Sequence, residues 1–204
     1  METKCINENE IGIDEAGRGT LIGRVYAGAV IWNHNVEIPI NLIKDSKKLS
    51  PKKRAEALEW IKKSLMWGVG YIEPEEIDKI NILNATKLAM DKAIQDLKNK
   101  NPNINPNQLI IDGTGWDNKF KDYKCCSIVK GDSKYYSIAA ASIIAKEFHD
   151  EHIKELCNNN NELNEKYDLS NNMGYATKKH MEGIEKYGNS NYHRKSFKPC
   201  CYKV

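Results

Sequence analysis

Asp14 and Glu15 follow the apolar run Ile11-Gly-Ile13 and stand directly before Gly17-Arg18-Gly19. Asp112 closes Leu109-Ile-Ile111 ahead of Gly113, and Asp132 follows a third apolar run, Cys126 to Val129, across Lys130-Gly131. Neighbouring side chains of a regular strand point to opposite faces, so Asp14 and Glu15 converge only where the strand ends and the backbone turns. Glycine permits that turn. In open α/β sheets ligands gather at the carboxyl ends of strands, which is where these acids fall. Four clustered carboxylates repel one another and take up protons unless a divalent cation neutralises them. An all-oxygen donor set suits Mg²⁺ or Mn²⁺ better than zinc. Taken singly, each acid is also an ordinary turn residue, helix cap or surface acid. Both readings stand at this level, and the repeated placement at strand ends is what favours a metal centre.

The run Gly17-x-Gly19-x-x-x-Gly23 departs from the dinucleotide fingerprint G-x-G-x-x-G. Its preceding acids would face a pyrophosphate without a counter-charge, so a nucleotide-cofactor loop fits poorly.

The elements that must carry these residues can be read from periodicity. Glu10 to Asp14, Val25 to Trp32, Met66 to Ile72, Gln108 to Asp112 and Cys126 to Val129 read as strands. Ser50-Pro51 opens a helix, with a hydroxyl for the cap and proline in the first turn. Its apolar stripe is Ala55, Leu58, Ile61 and Leu65. A second stripe, Leu83, Thr86, Met90, Ile94 and Leu97, predicts another helix, ended by the Asn/Pro loop 99–107. Ser137 to Leu156 reads as a helix whose first half, Ile138 to Ala145, is small and apolar all round and therefore buried, with Asp150 in its solvated half. The Asn-rich stretch Asn158 to Asn172 separates it from a basic helix near Thr177 to Tyr187. The fold class is α/β, a mixed central sheet flanked by helices, with a small helical C-terminal appendage. The division is residues 1–157 as a core and 158–204 as a helical, basic segment packed on it.

Composition bounds the function classes. The 204 residues are 40% hydrophobic and 29% charged, enough for one substantial core. No apolar run approaches the roughly 20 residues of a membrane span. The polar, acidic start Met1 to Glu10 resembles no secretory signal, so the expectation is a cytoplasmic protein with free thiols at Cys5, Cys125, Cys126, Cys157, Cys200 and Cys201. No Cys/His spacing suits zinc. The formal net charge is +3, yet Lys44 to Arg54 holds six Lys/Arg against Asp45, and Gly174 to Val204 holds seven against two acids. Such blocks serve more often as solvated faces than as phosphate footprints; read as footprints, they would grip phosphates around Lys47 and Arg194.

Asp14-Glu-Ala-Gly-Arg-Gly19, Asp45-Ser-Lys47 with Leu49, Ile111-Asp-Gly113, Lys130-Gly-Asp132, Ser137 to Lys146, Gly174-Tyr-Ala-Thr177 with His180, and His193-Arg-Lys-Ser-Phe197 resemble, in order, the motifs of the ribonuclease HII (type 2 ribonuclease H) family. The resemblance implies a ribonuclease H-like fold and an endonuclease that hydrolyses RNA within RNA–DNA hybrids and nicks 5′ of ribonucleotides embedded in duplex DNA. It further implies two-metal hydrolysis with Mn²⁺ or Mg²⁺, leaving 3′-hydroxyl and 5′-phosphate ends, by a monomer. Asp14, Glu15, Asp112 and Asp132 match the family's catalytic metal-binding carboxylates. Gly17, Arg18 and Gly19 match the loop that reads the ribose 2′-OH, Lys47 a phosphate-contacting lysine, and Tyr175 the tyrosine that stacks on the neighbouring deoxyribose at an RNA–DNA junction. His180 and His193 read as structural or phosphate-facing. Thr20 stands where the bacterial pattern usually has proline, Arg24 where small residues are common, and the His-Lys that often precedes the Gly-Tyr motif is missing. The rival readings are another metal-dependent nuclease of this fold and a non-catalytic hybrid-binding module.

Overall fold

The computed structural model describes residues 1–3, 7, 9–39 and 41–202; Cys5 lies outside them. Five strands form one mixed sheet: β1 (Glu10–Ala16), β2 (Val25–Ile31), β3 (Met66–Ile72), β4 (Gln108–Asp112) and β5 (Lys124–Ile128). Their order is β3-β2-β1-β4-β5. β1 pairs antiparallel with β2 and parallel with β4, and β4 pairs parallel with β5. The central position of β1 between an antiparallel and a parallel neighbour brings its carboxyl end beside that of β4.

Helices cover both faces. α1 (Pro51–Ser64) and α3 (Tyr136–Asn159) lie on one, α2 (Pro74–Lys100) on the other. Alternation along β1 and β4 sends Ile11, Ile13, Leu109 and Ile111 towards α2. The opposite face meets α3 closely: a Cβ at Gly12 would lie 2.5 Å from the Ser137 backbone, and one at Gly28 would lie 2.3 Å from the Ala141 carbonyl oxygen. The small residues of α3 and the glycines beneath them are two halves of one close contact, so larger side chains on either side would lift the helix.

Three local expectations change. α1 begins as its sequence demands, with the Ser50 hydroxyl accepting from Lys53 N–H, but its buried face is Arg54, Ala57, Leu58 and Ile61 and Ala55 faces solvent. The helix expected from Leu83 starts at Pro74, and the earlier limb meets the later one at Asn81, whose φ is 66°. The Asn81 carboxamide accepts from the N–H groups of Leu83 and Asn84, capping the second limb. In the Asn-rich stretch lie α4 (Asn161–Tyr167) and α5 (Leu169–Asn172). Leu163, Tyr167 and Leu169 bury there against Ile153, Leu156 and Ile184, the last from α6 (Lys178–Tyr187). Since α3 runs to Asn159, a boundary after residue 157 falls inside its last turn. Among the described residues no helix is long and apolar enough to cross a membrane.

Candidate active site

The register that sets Ile13 opposite Ile111 brings Asp14 and Asp112, one residue later, to the same level on neighbouring parallel strands. Asp132 follows β5 on a turn that folds back over Asp112: the N–H groups of Gly131 and Asp132 donate to Asp112 Oδ1 at 2.6 and 3.4 Å. Lys130 holds a left-handed conformation, φ 55°, at the head of that turn. Asp14 is buried, and burial together with the negative charges of Glu15, Asp112 and Asp132 pushes its carboxyl well above the ordinary range. Burial also raises Glu15, against the pull of the Arg18 guanidinium at 3.0 Å. Asp132 is raised by burial and by the charges of Asp112 and Asp45, with Lys47 opposing. The four expected acids therefore share one electrostatic neighbourhood that is short of positive charge.

Such a neighbourhood fits a hard divalent cation. Glu15 Oε2 is buried without a hydrogen-bond partner, an acceptor left open on an all-carboxylate donor set. Among the described residues, no three His, Cys, Asp or Glu side chains are gathered closely enough to enclose an ion in the conformation seen. Asp112 is turned to its backbone donors and Glu15 to Arg18, so an ion shared by these acids would require their side chains to rotate.

Gly17 and Gly19 lie beside these acids. Gly17 has φ 82°, and a Cβ there would stand 2.5 Å from the His149 ring, so glycine is required on both counts. A Cβ at Gly19 would meet only Tyr175 Cε1, at 3.9 Å, which leaves an open gap between loop and ring. Tyr175 is 40% exposed. It is brought to the loop by an antiparallel bridge to Thr20. Thr20 itself is buried, and its hydroxyl donates to the Gly17 carbonyl at 3.0 Å, a link proline could not supply. Loop and tyrosine line a cavity of about 440 Å³ together with Asp14, Glu15, Lys47 and, unforeseen, Ser46, Ser142 and Lys146. Asp112 and Asp132 are not among its lining residues. Lys146 stands directly after the apolar run Ile138 to Ala145; its position one turn before Asp150, to which it donates at 2.7 Å, is the signal that sets it apart.

Several basic residues do other work than expected. Arg194 is fully buried, donating to backbone carbonyls, and is no phosphate contact. Arg54 is buried against Glu147 and Asp150 at 2.7 and 3.1 Å. Asp150, expected in solvent, is 5% exposed and held also by Lys146 and His149. Arg24 pairs with Glu73 at 2.7 Å and covers the Tyr71 ring, away from the cavity. Of the two roles expected for His180 and His193, the structural one holds: both are buried and bonded to each other, and neither faces a phosphate. The five described cysteines are free.

Comparison with known proteins agrees with the motif order. The family model for ribonuclease HII matches residues 11–200. A ribonuclease HII of Rickettsia akari (strain Hartford) is 49% identical over 201 residues, covering 98% of this chain and 96% of that one. One from Pelagibacter ubique (strain HTCC1062) is 46% identical over 188 residues, covering 92% and 95%. Among solved structures, a chain of the PCNA:RNase HII complex from Archaeoglobus fulgidus superposes with a TM-score of 0.72 at 26% identity, covering 93% of this chain and 95% of that one. The fold is ribonuclease H-like, and the chain belongs to the ribonuclease HII family.

Proposed function

We propose that this ribonuclease H cuts the RNA strand of RNA–DNA hybrids and nicks duplex DNA on the 5′ side of an embedded ribonucleotide. Family membership makes it an endoribonuclease. The finer reading is carried by one juxtaposition: the buried, mutually repelling carboxylates of Asp14 and Glu15 line the same cavity as the Gly17–Gly19 loop and Tyr175.

Asp14, Glu15, Asp112 and Asp132 are the groups that would hold divalent cations. Bound there, Mg²⁺ or Mn²⁺ would supply an activated water and neutralise charge on the leaving oxygen. Everything else falls to the chain. The loop, bare of side chain at Gly17 and Gly19, lets backbone groups approach a ribose closely enough to sense its 2′-OH, the atom that distinguishes RNA from DNA. Tyr175 offers its ring across the gap from Gly19, where the next sugar would lie. Lys47, whose charge reaches Glu15, Asp132 and Tyr175, is suited to the scissile phosphate. Lys146 adds a second cation on the cavity wall. One site of this kind in one chain is consistent with action as a monomer, and free cysteines are consistent with the cytoplasm.

The test is cleavage-site mapping on a DNA duplex carrying one ribonucleotide, in Mg²⁺ and in Mn²⁺, beside an all-DNA control. A single nick 5′ of the ribonucleotide, with 3′-hydroxyl and 5′-phosphate ends, is expected. Equal cutting of the all-DNA duplex would overturn the reading in favour of a different nuclease, and binding without turnover in either metal would favour a non-catalytic module.

A further inference from the structure

His193 and Arg194 are consecutive, buried and outside the cavity, yet their side chains lead to the two walls of the gap between Gly19 and Tyr175. A bridge between Ile22 and His193 holds their segment beside the bridge between Thr20 and Tyr175.

The His193 side runs through a second imidazole. Ser190 N–H donates to His193 Nδ1 at 2.9 Å, so that nitrogen is the acceptor and the ring proton sits on Nε2. His193 Nε2 lies 3.1 Å from His180 Nε2, which must then accept. The His180 proton is thereby assigned to Nδ1, 3.0 Å from the carbonyl oxygen of Tyr175. Every link has one donor and one acceptor, and the chain ends on the backbone of the tyrosine. The Tyr167 ring packs against both imidazoles, with centroids 5.8 Å from His180 and 4.6 Å from His193.

The Arg194 side runs to the loop. Nη1 donates to the Arg18 carbonyl at 3.1 Å, Nε to the Gly23 carbonyl at 3.0 Å, and the Arg194 amide to the Leu21 carbonyl at 2.8 Å. Among the described residues no carboxylate stands at ion-pair distance from this guanidinium. A buried charge answered by peptide dipoles, the Phe197 ring and the more distant carboxylate of Asp78 is a costly way to gain stability. It is an effective way to fix the curvature of residues 18–23, because a planar fork can satisfy two carbonyls only in one relative arrangement.

We propose that His193-Arg194 is a two-armed brace that sets the height of Tyr175 over the Gly17–Gly19 loop and so governs recognition of the junction between ribonucleotide and deoxyribonucleotide. This rests on the reading of that gap as the ribonucleotide-recognition site. Both are positioning residues, acting through groups that touch substrate.

The experiment uses the full chain as wild type, His193→Leu, His193→Gln, Arg194→Met and Arg194→Lys. For each, kcat and KM are measured on a duplex with one ribonucleotide and on a uniform RNA–DNA hybrid, and Mn²⁺ affinity is measured by titration. The ratio of the two kcat/KM values belongs to the folded molecules and does not depend on what fraction is folded. His193→Leu and Arg194→Met are expected to lower it tenfold or more, with Mn²⁺ affinity within twofold of wild type. His193→Gln, which retains a donor towards His180, should recover most of the ratio. Arg194→Lys, whose single ammonium cannot span both carbonyls, should not. If His193→Leu or Arg194→Met yields no folded protein, the contrast between His193→Gln and Arg194→Lys decides. An unchanged ratio in the folded variants, or a ratio that falls only together with Mn²⁺ affinity, would overturn the brace. A wild type that cuts neither duplex would instead overturn the proposed function.

Discussion

Asp14→Asn should make the metal-free protein more stable while abolishing its nuclease activity. Asp14 and Asp112 sit side by side on paired parallel strands, which are spaced about 4.8 Å apart. At an effective dielectric constant of about 20, two unit charges some 5 Å apart repel by about 3 kcal/mol. Glu15 and Asp132 add to that repulsion. Relaxation and partial protonation of the crowded acids cut into the figure, leaving a gain on the order of 1–2 kcal/mol for removal of one charge. The new amide keeps an oxygen for Glu15 N–H, which now donates to Asp14 Oδ1 at 2.7 Å. For a chain of this size that gain corresponds to a rise in Tm of about 2–8 °C. The assay is thermal unfolding in EDTA and in a Mn²⁺ series. Wild type should start lower in EDTA and climb with Mn²⁺ by linkage, about 2.7 kcal/mol at a hundredfold excess over Kd. The variant should start higher and respond weakly. A variant no more stable than wild type in EDTA and equally stabilised by Mn²⁺ would refute the argument that these carboxylates are held together against their own repulsion for a cation's sake.

The buried histidines should cost stability as the solution is acidified below pH 6.5, against the raised carboxyls of Asp14, Glu15 and Asp132, which take up protons on folding and act in the opposite sense. Burial, with the neighbouring His180, pushes His193 down to about 3, and burial pushes His152 down to about 4, so at these two rings the unfolded chain binds more protons in that window. Each ring contributes up to about 1.4 kcal/mol per pH unit; the difference in unfolding free energy between His193→Gln and wild type, from urea titrations between pH 7.5 and 5, should change with pH by that amount, and a difference independent of pH would refute it. Gly17→Ala forces a Cβ against His149 at φ 82° and should cost about 1–3 kcal/mol. Gly19→Ala meets nothing closer than 3.9 Å and should leave Tm within a degree or so, while lowering kcat/KM on a ribonucleotide-bearing duplex at least tenfold. Loss of activity in neither variant would deny the loop its role. Lys47→Ala should reduce the slope of log affinity against log salt by about 1, as loss of one phosphate contact requires. Arg54→Met, which leaves Glu147 and Asp150 without their guanidinium, should cost about 3–5 kcal/mol and leave that slope alone.

The fold and the acids were legible because each has a short-range signal. A strand of apolar residues that stops at an acid and a glycine is visible in five or six consecutive letters, and Asp14, Asp112 and Asp132 all carry it. The limb Pro74–Ile80 was missed because its break at Asn81 interrupts the periodicity that marks a helix. In α4 and α5, three buried residues, Leu163, Tyr167 and Leu169, are outnumbered by asparagines, so composition pointed to solvent while a few contacts supplied the packing.

The basic residues divide most sharply. Lys47 and Arg194 look alike in a charge count, yet one lines the cavity and the other is sealed beneath the loop. Arg54 and Asp150, 96 residues apart, read as part of a basic block and as a solvated acid, yet they are buried as an ion pair. Chain-local chemistry is enough to say that carboxylates end strands and that glycines bare a loop, because propensity and alternation act over a few residues. Whether a charge meets water, a phosphate or a buried partner depends on what the rest of the chain brings within about 4 Å, and electrostatic cost inside a protein is decided at that distance.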